Sequence, residues 1–333
     1  MKVAAIGGGS WGTTVAHLTA HNADTTLWAR RAEVCHAITE THENPRYLEG
    51  LALHPSLKAS PELAEVVADA DVLVMGVASA GFESTLDALE PLVEPDVPIV
   101  SLAKGLDKET GRRMTELITD RFPDNSVGVL TGPNLAKEIL AGQAAASVIA
   151  FSDADIAARL QGVFATPRFR VYTNDDLIGC ELGGALKNVI AIAAGMADGL
   201  GAGDNTRAAV ITRGLSELTR LGVAMGGKPE TFAGLAGMGD LIATCISPQS
   251  RNRTAGEAFG RGQSIPQIID SMNQVVEGLK SAPVVARLAR EYDVDMPITE
   301  EIRAIVEDGR TAKEVYRGPV SYTHLTLPTT PYV

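Results

Sequence analysis

Over its first half the chain alternates short apolar runs with stretches of helical period. Apolar runs at residues 3–6, 25–29, 72–77, 99–103, 127–130 and 146–150 are predicted strands, each too short for a buried helix. Between them lie helical patterns such as PELAEVVADA, where Pro61 is placed at a first helical position with Ser60 as cap. Strands alternating with helices predict a parallel sheet covered on both faces. Beyond about residue 180 the strand signals fade. DNTRAAVITRGLSELTRLGVAMGG, SAPVVARLAREYDV and ITEEIRAIVEDG are helix patterns there, the first closed by glycines. The expected fold class is therefore α/β plus all-α: a sheet domain over residues 1–178, then a helical domain over residues 179–319. No internal repeat is visible.

One predicted helix poses a chemical question. In ELGGALKNVIAIAAGM, residues from Val189 onward leave no polar stripe, so this helix is buried, yet it carries Lys187. An ammonium group without partners is costly to bury. Either Lys187 snorkels to the surface along its own stem, or something in the interior needs it.

Composition narrows the field. The 333 residues are 45% hydrophobic and 21% charged, which suits a large core. A net charge of −12 argues against nucleic acid and against anionic membranes, while leaving room for a local phosphate pocket. The three cysteines, Cys35, Cys180 and Cys245, are far apart and include no CxxC pair, so neither a disulfide framework nor a metal site is expected. MKVAAIGGGSWG is too weakly apolar for a signal peptide, and no apolar run reaches the roughly 18 residues of a membrane span. The expectation is a soluble, cytoplasmic protein. The last stretch, VSYTHLTLPTTPYV, lacks any acid, Lys or Arg and breaks the preceding helical pattern. It resembles the in-frame translation of a sequencing adapter, which makes residues 320–333 a non-native tail, the alternative being a natural Pro/Thr-rich tail; either way they are set aside from the fold.

Gly7, Gly9 and Gly12 follow the first strand in GxGxxG spacing and open a helix. Gly7 suits a tight turn, Gly9 a close approach of backbone to a pyrophosphate, and Gly12 packing of helix on strand. The helix N-terminus offers free amides and a positive dipole end to phosphates. This marks a Rossmann-type dinucleotide site. The second strand ends in Arg30 and Arg31 rather than in an acid. Two guanidinium groups there favour the 2′-phosphate of NADP, with NAD still admitted, unless they merely form a solvated basic loop.

Further stretches carry polar groups beyond what packing needs. SLAKGL ends a strand in Lys104, at the edge where open α/β sheets bind ligands. In VLTGPNLAKEI, Gly132-Pro133-Asn134 turns a strand into a helix. Glycine turns in AGLAGMGDLIATC deliver Asp240 to a helix start, where it serves either as a cap or as a buried partner. Ser250-Arg251-Asn252-Arg253 is dense in anion donors, and Arg251 can hold a phosphate bidentately with Asn252 as a neutral donor. Cofactor cradle, phosphate clamp, lysines and aspartate together suit hydride transfer to the carbonyl of a small phosphorylated ketone. A cationic lysine stabilises the developing oxyanion and donates the proton, and a carboxylate keeps it charged and oriented.

GGGSWGT, LAKGL, TGPNLAKE, ELGGALKNVIAIAAGMADGL, NTRAAVITRGLSE, GLAGMGDLIATC, SRNR, VVEG and MPITEEI, in this order over roughly residues 2–315, resemble bacterial-type NAD(P)-dependent glycerol-3-phosphate dehydrogenases. The resemblance implies reduction of dihydroxyacetone phosphate to sn-glycerol 3-phosphate, the phospholipid backbone. It implies that Lys187 is the proton donor or acceptor, with Asp240 beside it. It places Lys104, Gly132, Asn134, Thr244, Ser250, Arg251 and Asn252 at the substrate. At the cofactor it places Ser10, Trp11, Arg30, Arg31, Lys104, Ala136, Arg251, Val275 and Glu277 besides the glycines. Asn134 departs from the family's Ser or Thr, and GVASAG lacks the proline usual after its valine. A related 3-hydroxyacid or phosphogluconate-type dehydrogenase is disfavoured by the paired GMGD and SRNR motifs. A non-catalytic NADP sensor is disfavoured by the retention of Lys187 and Asp240. A homodimer is compatible with this class.

Overall fold

The computed structural model describes residues 1–272 and 276–315. Val275 and the 320–333 tail lie outside the described residues. Two compact units emerge: one from Met1–Asp107 with Arg112–Cys180, the other from Lys108–Gly111 with the chain from Glu181 onward.

The first unit is built on strands β1 (Lys2–Ile6), β2 (Asp24–Trp28), β3 (Lys58–Ser60), β4 (Val72–Met75), β5 (Ile99–Ser101), β6 (Val127–Thr131), β7 (Ala145–Phe151) and β8 (Phe169–Asn174). They form one sheet in the order β3-β2-β1-β4-β5-β6-β7-β8. The first six are parallel, β7 runs antiparallel to β6, and β8 is parallel to β7. The period-two alternation of a strand puts Val3 and Ala5 into one core with Val15, Ala16 and Phe164. Ala4 and Ile6 face the other way, into a second core with Leu73, Phe82 and Ile118. Two cores on two faces explain why these strands read as continuous apolar runs. Reversal of strand order between β1 and β4 creates the crevice where such sheets take ligands.

Two strands were not expected. β3 is short and polar, an edge strand pairing with β2 over Thr26–Ser60 neighbours, so no apolar run announces it. Ser60 ends that strand instead of capping a helix, and the helix after it spans only Leu63–Val67, with Glu62 at its N-cap. β8 alternates buried Phe169 and Val171 with exposed Arg170 and Tyr172, a period-two signal split by polar residues.

The second unit packs around the Leu177–Gly199 helix. It starts well before Val189, because Gly183 and Gly184 do not break it. A side chain at Gly183 would meet the Ala236 carbonyl at 2.5 Å, so this glycine admits a neighbouring backbone within the same unit. By length and composition this helix alone, among the described residues, could cross a membrane, but most of it is buried inside the fold. Gly195 and Gly199 meet the Arg251–Gly260 helix, whose own Gly256 and Gly260 lie against the Ile192 and Met196 carbonyls. Four glycines at spacings of four thus let two backbones touch, which brings the SRNR segment onto the lysine helix. Glu217, from the Asp204–Ala224 helix, fixes another element. Its buried carboxylate accepts from Ile298 N at 2.8 Å and Thr299 N at 3.2 Å, closing the first turn of the Pro297–Asp308 helix. Burial pushes this carboxyl up to about 7 despite those donors.

Candidate active site

At the end of β1 three glycines interlock. Gly7 has φ +119°, and a Cβ on it would lie 2.6 Å from the Gly76 carbonyl; one on Gly76 would lie 2.9 Å from Gly12 Cα. A Cβ on Gly9 meets nothing within 4 Å, so the turn is tight beneath and open above. Gly9 caps the Ser10–Thr19 helix without a side-chain hydrogen bond, leaving first-turn amides for an anion. These features fit a dinucleotide pyrophosphate. Trp11 leans on Phe169, with ring centroids 6.5 Å apart, and its buried indole N–H has no partner among the described residues. Arg30 and Arg31 are exposed just beyond β2, and Arg31 lies 3.6 Å from Glu33.

The same sheet edge gathers the next group. Lys104 Nζ donates to the Gly132 carbonyl at 2.8 Å. Asn134 Nδ2 donates to Ser147 Oγ at 3.1 Å, and Ser147 Oγ donates in turn to the Thr131 carbonyl at 2.8 Å. The Asn134 amide thus turns back to β7. Ala136 opens the short Ala136–Leu140 helix directly after this turn.

In the helical unit Lys187 does not snorkel. It is 5% exposed, and its Nζ donates to Asp240 Oδ1 at 2.5 Å, Asp240 being only 2% exposed. Thr244 Oγ1, one turn further along the Asp240–Ile246 helix, also accepts from Lys187 and donates to the Asp240 carbonyl at 2.7 Å. Asp240 is not an N-cap; five residues of π-helix, Leu235–Gly239, run straight into it and aim its side chain inward. A desolvated ammonium held against a carboxylate and a hydroxyl is an arrangement suited to proton transfer.

The SRNR segment divides its labour. Ser250 caps its helix by accepting from Arg253 N. Arg253 binds Asp198 at 2.9 Å and Glu257 at 3.3 Å, a structural clamp. Asn252 is buried, with Nδ2 donating to Asn188 Oδ1 and Oδ1 accepting from Gly278 N, both at 2.9 Å. Its amide therefore ties the lysine helix to the Glu277–Glu291 helix, a role sequence alone did not indicate. Arg251 reaches solvent; crowding by the protein lowers its pKa and nearby Glu277 partly offsets this. Burial pushes the Cys180 and Cys245 thiols up to about 12, so both are inert as nucleophiles.

A Rossmann-type sheet with an open glycine turn, and a helical unit that holds a buried Lys–Asp–Thr cluster and an exposed arginine at the start of the Arg251–Gly260 helix, define a nicotinamide-dependent dehydrogenase class. Residues 2–157 match the N-terminal model of NAD-dependent glycerol-3-phosphate dehydrogenase, and residues 176–317 match its C-terminal model. A glycerol-3-phosphate dehydrogenase [NAD(P)+] of Sphingopyxis alaskensis is 58% identical over 318 residues, covering 96% of each chain. One from Mycobacterium avium is 50% identical, over 96% of this chain and 94% of its own. The crystal structure of glycerol-3-phosphate dehydrogenase from Coxiella burnetii superposes with a TM-score of 0.90 at 35% identity, covering 94% of this chain and 97% of that one. The chain belongs to the NAD-dependent glycerol-3-phosphate dehydrogenase family.

Proposed function

We propose that this chain reduces dihydroxyacetone phosphate to sn-glycerol 3-phosphate, reversibly, with NADPH preferred over NADH. The observation that carries this reading is the buried Lys187–Asp240–Thr244 cluster, in which the Lys187 ammonium donates to the Asp240 carboxylate and the Thr244 hydroxyl. Bound NAD(P)H supplies the hydride. Lys187 stabilises the oxyanion that develops on the carbonyl oxygen and gives it a proton. Asp240 and Thr244 orient the Lys187 ammonium, and re-protonation follows from solvent. Arg251 clamps the phosphate, with Ser250 beside it. Asn252 acts chiefly by fixing Asn188, next to Lys187, and Gly278, next to Glu277. Arg30 and Arg31, exposed after β2 where NAD-selective sites carry an acid, support the NADPH preference.

The test compares two substrates with purified protein and NADPH. Turnover with dihydroxyacetone phosphate and at least about 100-fold lower kcat/KM with unphosphorylated dihydroxyacetone is expected, since charge-assisted phosphate contacts are lost. Equal use of both would remove the phosphate clamp from the account.

A further inference from the structure

One cluster of titratable groups has no part in this chemistry. His17 and His21 at the end of the Ser10–Thr19 helix meet His54, with ring centroids 5.1, 6.4 and 4.3 Å apart. A metal does not explain them. His17 Nδ1 accepts from His54 N at 2.9 Å, so its ring proton sits on Nε2 and no lone pair remains for a cation. Among the described residues, no group of three such side chains is set to hold a metal.

The contact instead pins residues 42–57 to the helix. The neck of this segment is closed by a Glu43–Ala52 bridge and by Leu53 N donating to the His42 carbonyl at 2.8 Å. Its far end is held by His54 on His17 and by Ser56 Oγ donating to the Ala20 carbonyl at 3.1 Å. Its other feature is Asn44, fully buried, whose Nδ2 donates to the Gly8 carbonyl at 3.0 Å and lies 2.9 Å from Thr13 Oγ1. Gly8 is the middle of the glycine turn. One segment therefore touches the dinucleotide turn at Asn44 and is fastened by imidazoles at His54.

We propose that residues 42–57 form an acid-released brace of the dinucleotide turn, in which Asn44 positions Gly8 and the His17–His54 contact holds the segment down. This rests on the dinucleotide reading of that turn. A proton on His17 Nδ1 faces the His54 N–H and breaks the contact. The groups acting on His17 are His21 and His54, and that acting on His21 is His54. Among the described residues no carboxylate relieves them: Asp24, on the neighbouring strand, pairs with Lys58 at 4.0 Å, Glu43 is exposed, and His42 sits at the neck with φ 53°. Burial and the two neighbouring imidazoles lower His17 from 6.5 to about 4. A group lowered in the latched state favours that state above about 6.5 and loses it as pH falls towards 4. Linkage between those values makes opening about 30-fold more favourable at about pH 5 than at about pH 7.5.

The experiment is hydrogen exchange by mass spectrometry on the whole chain at both pH values, corrected for intrinsic rates, together with NADH binding by fluorescence. NADH is used because its phosphodiesters do not titrate in this range. In the wild type, exchange of residues 42–57 should rise about 30-fold in acid, with the Gly7–Gly9 turn following. His17→Gln keeps an acceptor without titrating, and its exchange should change less than about 3-fold. At about pH 7.5, Asn44→Ala should weaken NADH binding about 10-fold. Equal acid responses in wild type and His17→Gln, or unaltered NADH binding by a folded Asn44→Ala, would overturn the proposal. If Asn44→Ala does not fold, the His17→Gln comparison decides alone. A wild type that binds no NADH removes the dinucleotide reading itself, whereas tight binding retained in Asn44→Ala removes only the brace.

Discussion

Replacing Lys187 by methionine separates what the ion pair does for the fold from what it does for chemistry. Methionine fills most of the lysine's volume but leaves Asp240, 2% exposed, without its cation. Removing one partner of a buried pair costs about 3–5 kcal/mol, because the remaining charge loses a desolvated counter-ion that water does not replace. Thr244 still reaches Asp240, but a hydroxyl cannot replace a full charge. Asp240→Asn in the same chain removes that stranded charge, so Lys187→Met with Asp240→Asn should recover all but about 1 kcal/mol of stability. Activity should not recover. Loss of a general acid alone costs about 100- to 10,000-fold in rate. Urea unfolding measures the first quantity, and NADPH oxidation with dihydroxyacetone phosphate the second, with NADPH binding as a control. A single variant as stable as wild type would show that the pair is not desolvated. A double variant turning over within about 10-fold of wild type would show that Lys187 is not the proton donor.

Arg251→Ala should raise KM for dihydroxyacetone phosphate about 10- to 100-fold with kcat changed less than about 3-fold; the reverse split would move Arg251 from clamp to chemistry. Arg30→Ala with Arg31→Ala should weaken NADPH binding about 10- to 100-fold and NADH binding little, read by fluorescence titration; equal losses would place both arginines away from the 2′-phosphate. Glu217 tests linkage. Its carboxyl is raised from 4.5 to about 7, so the fold is favoured below 4.5 and loses stability as pH rises through 7, by about 3 kcal/mol in all. Glu217→Gln should flatten that part of the urea-denaturation profile, and parallel profiles would show that burial does not govern this carboxyl.

Much of the cofactor turn was legible, because its requirements are backbone requirements and glycine is their signature. Gly7 and Gly12 are read directly from spacing, but Gly76, which interlocks with both, follows an ordinary apolar strand and carries no motif. The helical unit was harder. The buried helix was read from Val189 onward, whereas it begins at Leu177, and Gly183 within it serves contact with Ala236, a tertiary fact that local propensity cannot contain. Asn252 illustrates the same limit. Its residue type announces a donor, but only the fold reveals that Asn188 and Gly278 take up its amide. β3 and the Asn44 brace left no signal, since their partners lie far along the chain. β8 did leave one, in the alternation of Phe169 and Val171 with polar neighbours.

That this chain uses Lys187 to reduce a phosphorylated ketone is checked by mixing purified protein, NADPH and dihydroxyacetone phosphate and quantifying both NADP+ and glycerol 3-phosphate. The account predicts equimolar products of the sn-3 configuration from wild type and none above background from Lys187→Met. A wild-type protein that binds NADPH yet forms no glycerol 3-phosphate would contradict it.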